Sequence, residues 1–265
     1  MLETILNITI YLLVSLFGLA IGSFLNVVIY RLPNNMSLVK PSSHCPKCGY
    51  KLKWYDNIPV LSYLLLKGKC RSCKDKISPR YMVVELMGLF ISLGVFLVYG
   101  LSLNYVIVTL LFMTFVCIVF IDLKHYIIPD SLNVFIVILG IASLFTKFSY
   151  GRFTITYVDK LLGFTLGLAI ILLVFIIERL LKKEIIGGGD LKLITAVGLV
   201  IGWELTLLGI LFASIIACLV ELPLSLNKKL RKDHVLPFGP YLALGFACSL
   251  LWGLNLLEWY FGMFF

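Results

Sequence analysis

Residues 104–122 read NYVIVTLLFMTFVCIVFID, an almost wholly apolar run that ends in a carboxylate. A helix needs about 20 residues of this kind to cross the hydrocarbon core of a bilayer. Seven more runs of comparable length lie on either side of it. They predict an all-α polytopic membrane protein with eight transmembrane helices, near Ile5–Ile29, Tyr81–Tyr99, Asn104–Ile121, Ser131–Thr146, Tyr157–Ile177, Ile185–Trp203, Leu205–Leu226 and Val235–Phe261.

The composition excludes a soluble globular protein. Of the 265 residues, 60% are hydrophobic and 14% are charged, and the mean hydropathy is +1.02. A soluble domain of this length has too little interior to bury that much apolar surface. The first apolar run has no Lys or Arg before it and is too long for the core of a signal peptide, so we expect a permanent span.

The charges fix an expected orientation. Eight spans place 20 of the 23 Lys and Arg residues on one side of the membrane, and residues 31–80 hold 11 of them. The opposite side has only Lys147, Arg152 and Lys160. The positive-inside rule therefore predicts cytoplasmic residues 31–80, with both termini outside. The net charge of +9 then indicates topology and contact with the lipid bilayer, and no nucleic-acid partner.

Four of the seven cysteines form two C-x-x-C pairs in this cytoplasmic loop. The pairs are Cys45-Pro-Lys-Cys48 and Cys70-Arg-Ser-Cys73. Two such pairs are typical of a structural zinc site with four thiolate ligands. The alternative is a pair of disulfides, which a reducing compartment disfavours. The other cysteines, Cys117, Cys218 and Cys248, lie inside apolar runs and are expected to be small core residues.

Two aspartates stand at the cytoplasmic ends of predicted spans, where acidic side chains are costly. Asp122 closes one span, and Asp190 follows the three glycines 187–189. Consecutive glycines indicate unwound backbone lining a wet cavity, although a flexible loop ending in a helix-capping Asp190 is an alternative. Asp130 follows Pro129 and is interpreted as the cap of the next helix, with a possible supporting role at the site.

A pair of aspartates at one membrane depth has a defined chemistry. Two carboxylates a few ångströms apart share a proton, because both cannot ionise. One then activates a water molecule and the other protonates the carbonyl of the scissile bond. The sequence has no H-E-x-x-H motif, and its three histidines are scattered, so Asp122 and Asp190 are the predicted catalytic residues.

Taken together, these motifs resemble those of bacterial prepilin peptidases, also called type IV leader peptidases. Residues 187–190 fit the G-x-G-D motif of that aspartyl protease family, in order with Asp122 and the paired C-x-x-C loop. Three further stretches agree: residues 22–33 (GSFLNVVIYRLP), Pro79-Arg80-Tyr81 with Glu85, and Pro237-Phe238-Gly239-Pro240. The resemblance covers nearly the whole chain and implies a location in the cytoplasmic membrane of a bacterium.

The resemblance implies two activities. The first is removal of the leader of type IV prepilins or pseudopilins after a Gly, and the second is N-methylation of the new N-terminal residue from S-adenosylmethionine. It also implies zinc at the four loop cysteines. Three regions follow: a first helix in 1–30, a zinc loop associated with methyl transfer in 31–80, and a protease region in 81–265. Candidates for the methyl-donor or substrate-terminus site are Gly22, Asn26, Arg31 and Glu85.

Structural explanations stay open for two of these residues: helix packing for Gly22 and a membrane-interface anchor for Arg31. Three rival functions also stay open. They are a protease of the same chemistry without methylation, a transporter that binds an ion through Asp190, and a membrane scaffold that uses the zinc loop for docking. The sequence carries no signal for one substrate system or for an oligomeric state.

Overall fold

The computed structural model describes residues 2–150, 153–183, 187–226 and 237–263. These residues form nine α-helices, and three-residue strands form one hairpin. The helices are α1 (Leu2–Arg31), α2 (Leu61–Leu65), α3 (Arg80–Tyr99), α4 (Leu103–His125), α5 (Asp130–Ser143), α6 (Tyr157–Leu181), α7 (Gly188–Ile201), α8 (Trp203–Leu226) and α9 (Gly239–Gly262), and the strands are β1 (Phe148–Tyr150) and β2 (Phe153–Ile155).

Eight of these helices coincide with the eight predicted apolar runs, but they differ in length. Among the described residues, six helices are long and apolar enough to cross a membrane: α1, α3, α4, α6, α8 and α9. The other two, α5 and α7, have 14 residues each. A helix of that length spans about 21 Å, less than the ~30 Å hydrocarbon core. The structure therefore supports a polytopic helical protein with six helices of spanning length.

The chain divides into two compact units, Met1–Tyr105 and Val106–Phe265. The first contains α1, the cysteine-bearing loop and α3. The second contains nearly all of α4 and every helix that follows it. The predicted functional regions 1–30, 31–80 and 81–265 follow motifs rather than compactness, and they stay a prediction.

In the first unit, α1 and α3 are antiparallel and pack through glycines. A Cβ on Gly18 would lie 2.6 Å from the carbonyl oxygen of Gly88, and a Cβ on Gly22 would lie 2.9 Å from the Cα of Glu85. Gly18 and Gly22 form a G-x-x-x-G pair, which lets two membrane helices approach closely. The Ser92 hydroxyl extends this seam by donating to the carbonyl of Val14 at 2.9 Å. We call this line of contacts the α1–α3 seam.

In the second unit, the short helix α7 lies at the centre. Its residues Leu191 and 193–201 are buried. A Cβ on Gly163 of α6 would clash with the carbonyl oxygen of Gly198, and a Cβ on Gly140 of α5 would lie 2.7 Å from the Cγ of Leu199. Polar backbone at membrane depth is tolerated where protein surrounds it. The cover that α5 and α6 give to α7 explains how so short a helix fits this environment.

The hairpin of β1 and β2 adds to the predicted all-helical architecture. The strands pair antiparallel, with Phe148 opposite Ile155. Beside them, Lys160 is fully buried and donates from Nζ to the carbonyls of Ser143 and Thr146. Lysine near a helix C-terminus satisfies carbonyls that have no helical partner, so Lys160 ties α6 to the end of α5.

Candidate active site and metal centre

Asp122 lies in the last turn of α4, and only 5% of its surface is exposed. Its Oδ2 atom accepts a hydrogen bond of 3.0 Å from the backbone N–H of Gly239, the first residue of α9. The first N–H groups of a helix lack partners within the helix and favour a negative charge nearby. A Cβ at position 239 would lie 2.8 Å from the same oxygen. Glycine at this position therefore lets the helix start reach the carboxylate.

Asp190 is the third residue of α7, and its N–H bonds to the carbonyl of Gly187 at 3.0 Å. Its side chain is half-buried. The prediction of unwound backbone is wrong for Gly188 and Gly189, because both lie in the first helical turn. The capping alternative is also wrong, because Gly187 occupies the cap position. Residues 185 and 186 of the predicted span lie outside the described residues.

The glycines before Asp190 provide space rather than an unusual backbone. A Cβ on Gly187 would lie 3.1 Å from Oδ2 of Asp190, and a Cβ on Gly189 would lie 3.1 Å from the Cβ of Ile128. A Cβ on Gly188 would have no neighbour within 4 Å. Position 188, where a side chain would have room, is the unspecified position in G-x-G-D. The motif therefore requires glycine only at the two positions where a Cβ would be crowded.

The structure brings the two predicted catalytic aspartates together. Their carboxylates are close enough for the charge of Asp122 to act on Asp190. Ile128, in the turn after α4, packs next to both of them, because it contacts the positions of Gly189 and Gly239. The ends of α4, α7 and α9 thus converge on one cluster, which we call the aspartate site.

Asp130 takes a role that differs from the predicted cap. Pro129 occupies the cap position of α5, and no side chain caps this helix. Asp130 instead forms an ion pair of 2.7 Å with Lys192 of α7. Both side chains are well exposed, so the pair contributes little to stability, but it links α5 to α7 two residues from Asp190.

The four loop cysteines form one compact cluster. Their sulfur atoms all lie within 4.8 Å of one another. The Sγ atoms of Cys45 and Cys73 are 3.9 Å apart, as are those of Cys48 and Cys70, and none of the four is in a disulfide. Tetrahedral ligation at about 2.3 Å places sulfurs about 3.8 Å apart. The donor set therefore fits a four-coordinate metal ion such as Zn²⁺.

The two C-x-x-C segments fold as equivalent knuckles. In the first, the N–H of Cys45 bonds to the carbonyl of Tyr50, and the N–H of Gly49 bonds back to Cys45. In the second, Cys70 bonds to Asp75 in the same way, and Lys74 bonds back to Cys70. Each knuckle turns through a positive φ, +71° at Gly49 and +59° at Lys74. The repeat of this turn brings both pairs of sulfurs to one point.

Ion pairs join the knuckles to each other and to the loop. Lys47 and Asp75 meet at 2.9 Å between the knuckles. Arg71 bonds to the buried Asp56 at 2.7 Å. Burial alone would raise the pKa of Asp56, but hydrogen bonds from Arg71 and from the Lys53 amide outweigh it. The pKa of Asp56 therefore lies below its ordinary value, and its carboxylate stays charged at neutral pH.

Three of the four methyl-site candidates lie together on the α1–α3 seam. Gly22 contacts the backbone of Glu85, in agreement with a packing role. Asn26 is 3% exposed and donates from Nδ2 to the Tyr81 carbonyl at 3.0 Å. Glu85 is 9% exposed and accepts the N–H of Val60 at 2.7 Å. The seam thus holds two buried polar side chains next to a glycine contact.

Arg31 lies at the end of α1 and organises the start of the loop. Its guanidinium donates to the carbonyls of Ser37 at 2.9 Å and Pro41 at 2.6 Å, and only 6% of the residue is exposed. A membrane-interface anchor would extend its charge into water. The burial of Arg31 favours the role of a loop clamp.

Sequence reasoning missed two contacts of these sites. The N–H of Gly239 was signalled only by the stretch Pro237-Phe238-Gly239-Pro240, without a role. Val60 gave no signal, because it acts through its backbone. It also has a φ of +61°, which is rare for a β-branched residue.

The comparisons with known proteins agree with this arrangement. The family model of the bacterial peptidase A24 N-terminal domain matches residues 16–99, and that of the type IV leader peptidase family matches residues 107–222. No solved structure matches. Three similar proteins, each called prepilin leader peptidase/N-methyltransferase, come from Aeromonas hydrophila (33% identity, 94% of this chain and 92% of the relative), Legionella pneumophila (32%, 95% and 94%) and Pseudomonas aeruginosa (34%, 90% and 89%). With the aspartate site and the cysteine cluster in one chain, the protein belongs to the type IV leader peptidase family.

Proposed function

We propose that the protein is a membrane aspartyl endopeptidase that removes the leader of type IV prepilins or pseudopilins after a Gly and then N-methylates the new N-terminal residue. The observation that carries the peptidase activity is the meeting of Asp122 and Asp190 at the ends of α4 and α7. The relatives named for both activities share at least 89% of their length with this chain, which supports the second activity.

The contacts of the aspartate site indicate which oxygen atoms are available for proton transfer. The pair holds one proton between two carboxyl groups. The Gly239 N–H occupies Oδ2 of Asp122, which leaves Oδ1 for the water or the substrate. One carboxylate takes a proton from water as its oxygen attacks the carbonyl carbon, and the other carboxyl protonates the carbonyl oxygen. When the C–N bond breaks, the leaving amine takes a proton from the pair, and a hydroxyl group of the tetrahedral intermediate returns one to it.

Zn²⁺ is the metal that we assign to Cys45, Cys48, Cys70 and Cys73. When bound, it supplies a cross-link between the two knuckles that persists in a reducing cytoplasm. Arg71, next to Cys70, bonds to Asp56 and so connects the metal site to the 3₁₀ turn at Trp54–Asn57. We call the two knuckles and their bound metal the zinc module, and this module therefore holds the shape of the loop that leads to Val60.

S-adenosylmethionine is the methyl donor that the second activity requires, and it supplies a methyl group on a positively charged sulfur. The α1–α3 seam offers acceptors to a cationic group, either of the donor or of the new N-terminus, because the buried Oδ1 of Asn26 has no hydrogen-bond donor among the described residues and Glu85 is a carboxylate. Of the four candidates, Asn26 and Glu85 offer groups for chemistry. Gly22 gives the packing and Arg31 holds the loop.

The membrane placement that we propose keeps eight passes. Residues 31–80 and both aspartates face the cytoplasm, and both termini lie outside. The short helices α5 and α7 then leave about 9 Å of the hydrocarbon core unspanned. Asp190 lies at the start of α7, which this placement puts at the cytoplasmic face. A leader in the cytoplasm and a pilin helix in the bilayer can both reach it.

A cleavage assay in detergent tests the peptidase activity. The substrate is a synthetic prepilin segment with a basic leader, a Gly at the cleavage site and the first apolar residues of the mature chain. Asp122→Asn and Asp190→Asn are each expected to abolish release of the leader, because each removes a carboxylate that must exchange protons. Glu258→Gln is the matched control, since this acid lies 19 residues after Gly239 on α9, about 28 Å away. Cleavage at the wild-type rate by a folded Asp190→Asn protein would refute the assignment.

A further inference from the structure

Only one acidic residue in the first unit is both buried and free of an ion pair within the described residues. The unit contains four acids, Glu3, Asp56, Asp75 and Glu85. Asp56 pairs with Arg71, and Asp75 pairs with Lys47. Glu3 is exposed in the first turn of α1. Glu85 is 9% exposed and is bound by the Val60 N–H rather than by a cation.

The Val60 contact indicates that this position of Glu85 is specified. Val60 adopts φ +61° and ψ −51°, a conformation that is costly for a β-branched residue. In this conformation its N–H donates to Oε2 of Glu85 at 2.7 Å. The loop thus adopts a strained backbone conformation in which it binds one oxygen of the carboxylate. A carboxylate has about four acceptor sites, and the Val60 N–H and the Ser23 hydroxyl take two of them, so about two remain for another donor.

A second unused acceptor lies one helical turn away on the same seam. Asn26 donates from Nδ2 to the carbonyl of Tyr81, four residues before Glu85 on α3. This bond fixes the orientation of the amide. The Oδ1 atom is buried and has no hydrogen-bond partner in the described residues. A buried acceptor without a donor is destabilising, and a group that carries N–H donors would satisfy it.

Methylation of an amine needs a proton acceptor. At neutral pH the new N-terminus is largely an ammonium group, which has three N–H donors and no lone pair. One N–H bond must break, with its electrons staying on nitrogen, before nitrogen can attack a methyl group. A buried carboxylate beside a neutral amide oxygen can both bind such an ammonium group and take its proton.

We propose that Asn26 and Glu85 bind the new N-terminal amine of the cleaved substrate and that Glu85 is the base of the methyl-transfer step. This inference rests on the proposed methyltransferase function. Glu85 takes one proton from the ammonium, and the freed electron pair on nitrogen forms the N–C bond to the methyl group. The C–S bond of the donor breaks at the same time, and sulfur keeps its electron pair. Glu85 then releases its proton to water.

Binding measurements test the amine site without turnover. The probes are two mature-form peptides that begin with Phe, one with a free amine and one N-acetylated, each titrated into the full chain in detergent. The wild-type protein is expected to bind the free amine about tenfold more tightly than the acetylated form, as loss of a charge-assisted contact would produce. Glu85→Gln should reduce this preference to less than about threefold, and Asn26→Ala should reduce it in part.

Two activities and one binding measurement on the same variants test the role of Glu85 as the base. In Glu85→Gln, methylation of the free-amine peptide is expected to fall at least about 100-fold, while leader cleavage stays within about twofold. Binding of S-adenosylhomocysteine should also stay within about twofold, because the inference assigns Glu85 to the substrate amine. Glu85→Asp should recover part of the methylation rate. Glu3→Gln is the matched control, an exposed acid of the same unit, and should resemble the wild type.

Each contrary outcome has one meaning. Wild-type methylation by Glu85→Gln would overturn the inference, and so would an unchanged preference for the free amine. Loss of S-adenosylhomocysteine binding would assign Glu85 to the amine of the donor instead. Equal loss of cleavage and methylation in Glu85→Gln, Glu85→Asp and Asn26→Ala would assign the seam a structural role only. A wild-type protein that neither cleaves nor methylates would overturn the proposed function itself.

Discussion

Glycines, which lack a Cβ atom, determine the geometry of the aspartate site. Gly187, Gly188 and Gly189 are consecutive, yet a methyl group would meet Asp190 at the first, nothing at the second and Ile128 at the third. Gly239 adds a fourth position, where a methyl group would meet Asp122. The aspartate site therefore depends on the absence of side chains as much as on the two acids.

The three glycines therefore differ in their tolerance of alanine. We expect Gly187→Ala and Gly189→Ala to lower the cleavage rate by up to about 10-fold, since a contact of 3.1 Å forces a shift of a few tenths of an ångström, less than the 1 Å displacement that costs about 100-fold. Gly188→Ala should stay within about twofold of the wild type, because its Cβ enters open space. Rates from one peptide assay compare all three variants. A Gly188→Ala protein as impaired as Gly187→Ala would show that backbone flexibility, not space, explains the motif.

The two knuckles offer a similar comparison. Gly49 and Lys74 occupy equivalent positive-φ positions, but only Gly adopts them without strain. Lys74→Gly is expected to stabilise the zinc module by about 1 kcal/mol, and Gly49→Ala to destabilise it by a similar amount. Competition with a coloured zinc chelator on the full chain measures both changes as shifts in metal affinity. Lower affinity for Lys74→Gly would mean that the Lys74 side chain matters more than its backbone.

At the scale of elements, helix pairs are held by close glycine contacts. In α3, a Cβ on Gly88 would lie 2.5 Å from the carbonyl oxygen of Gly18, whereas a Cβ on Gly94 would have no neighbour within 4 Å. Overpacking of a tight contact costs about 1–3 kcal/mol. Gly88→Ala should therefore lower the unfolding temperature in detergent, and Gly94→Ala should leave it equal or higher. Equal destabilisation by both would argue against a specific α1–α3 seam.

The positions of the long helices follow from the sequence alone. The apolar runs predicted where eight helices lie, because length and hydropathy are local properties. They did not predict that α5 and α7 stop at 14 residues, since Leu144 and Phe145 continue the apolar pattern of α5 beyond its end. Three-residue strands give too short an alternation to be recognised, so the hairpin was also missed.

The candidate site divides in the same way. The four cysteines and the two aspartates carry their chemistry in their side chains and spacing, so the sequence could name them. Their partners act through the backbone: the N–H of Gly239 bonds to Asp122, and the N–H of Val60 bonds to Glu85. Almost every residue has a backbone N–H, so the residue type does not identify such a donor. These two donors lie 117 and 25 positions from their acceptors, and only the tertiary structure brings them together. Asp130 was misjudged because its partner Lys192 lies 62 residues away.

At the scale of the whole molecule, the two activities are assigned to different compact units. The aspartate site lies within Val106–Phe265, and the cysteine cluster and the α1–α3 seam lie within Met1–Tyr105. The matched family models also divide near this boundary, at residues 99 and 107. If each unit carries one activity, damage to one should leave the other largely intact.

Loss of zinc tests one direction of this separation. Cys45→Ser together with Cys48→Ser leaves two thiolates, and binding energy at such sites is also folding energy for the loop. We expect the wild type to hold one zinc per chain and the variant to hold none. Methylation should fall at least about tenfold more than cleavage. Metal analysis and the two assays on one preparation give all three values.

The most direct measurement combines both directions. Wild type, Asp190→Asn and the double cysteine variant are each given a full prepilin peptide and, separately, the peptide already cut after its Gly, with S-adenosylmethionine present. Mass spectrometry then reports the released leader and the methyl group on the same sample. Asp190→Asn is expected to leave the full peptide uncut but to methylate the cut peptide at the wild-type rate, while the double cysteine variant is expected to cut without methylating. Loss of both activities in Asp190→Asn, with the protein still folded, would contradict two separate sites in one chain.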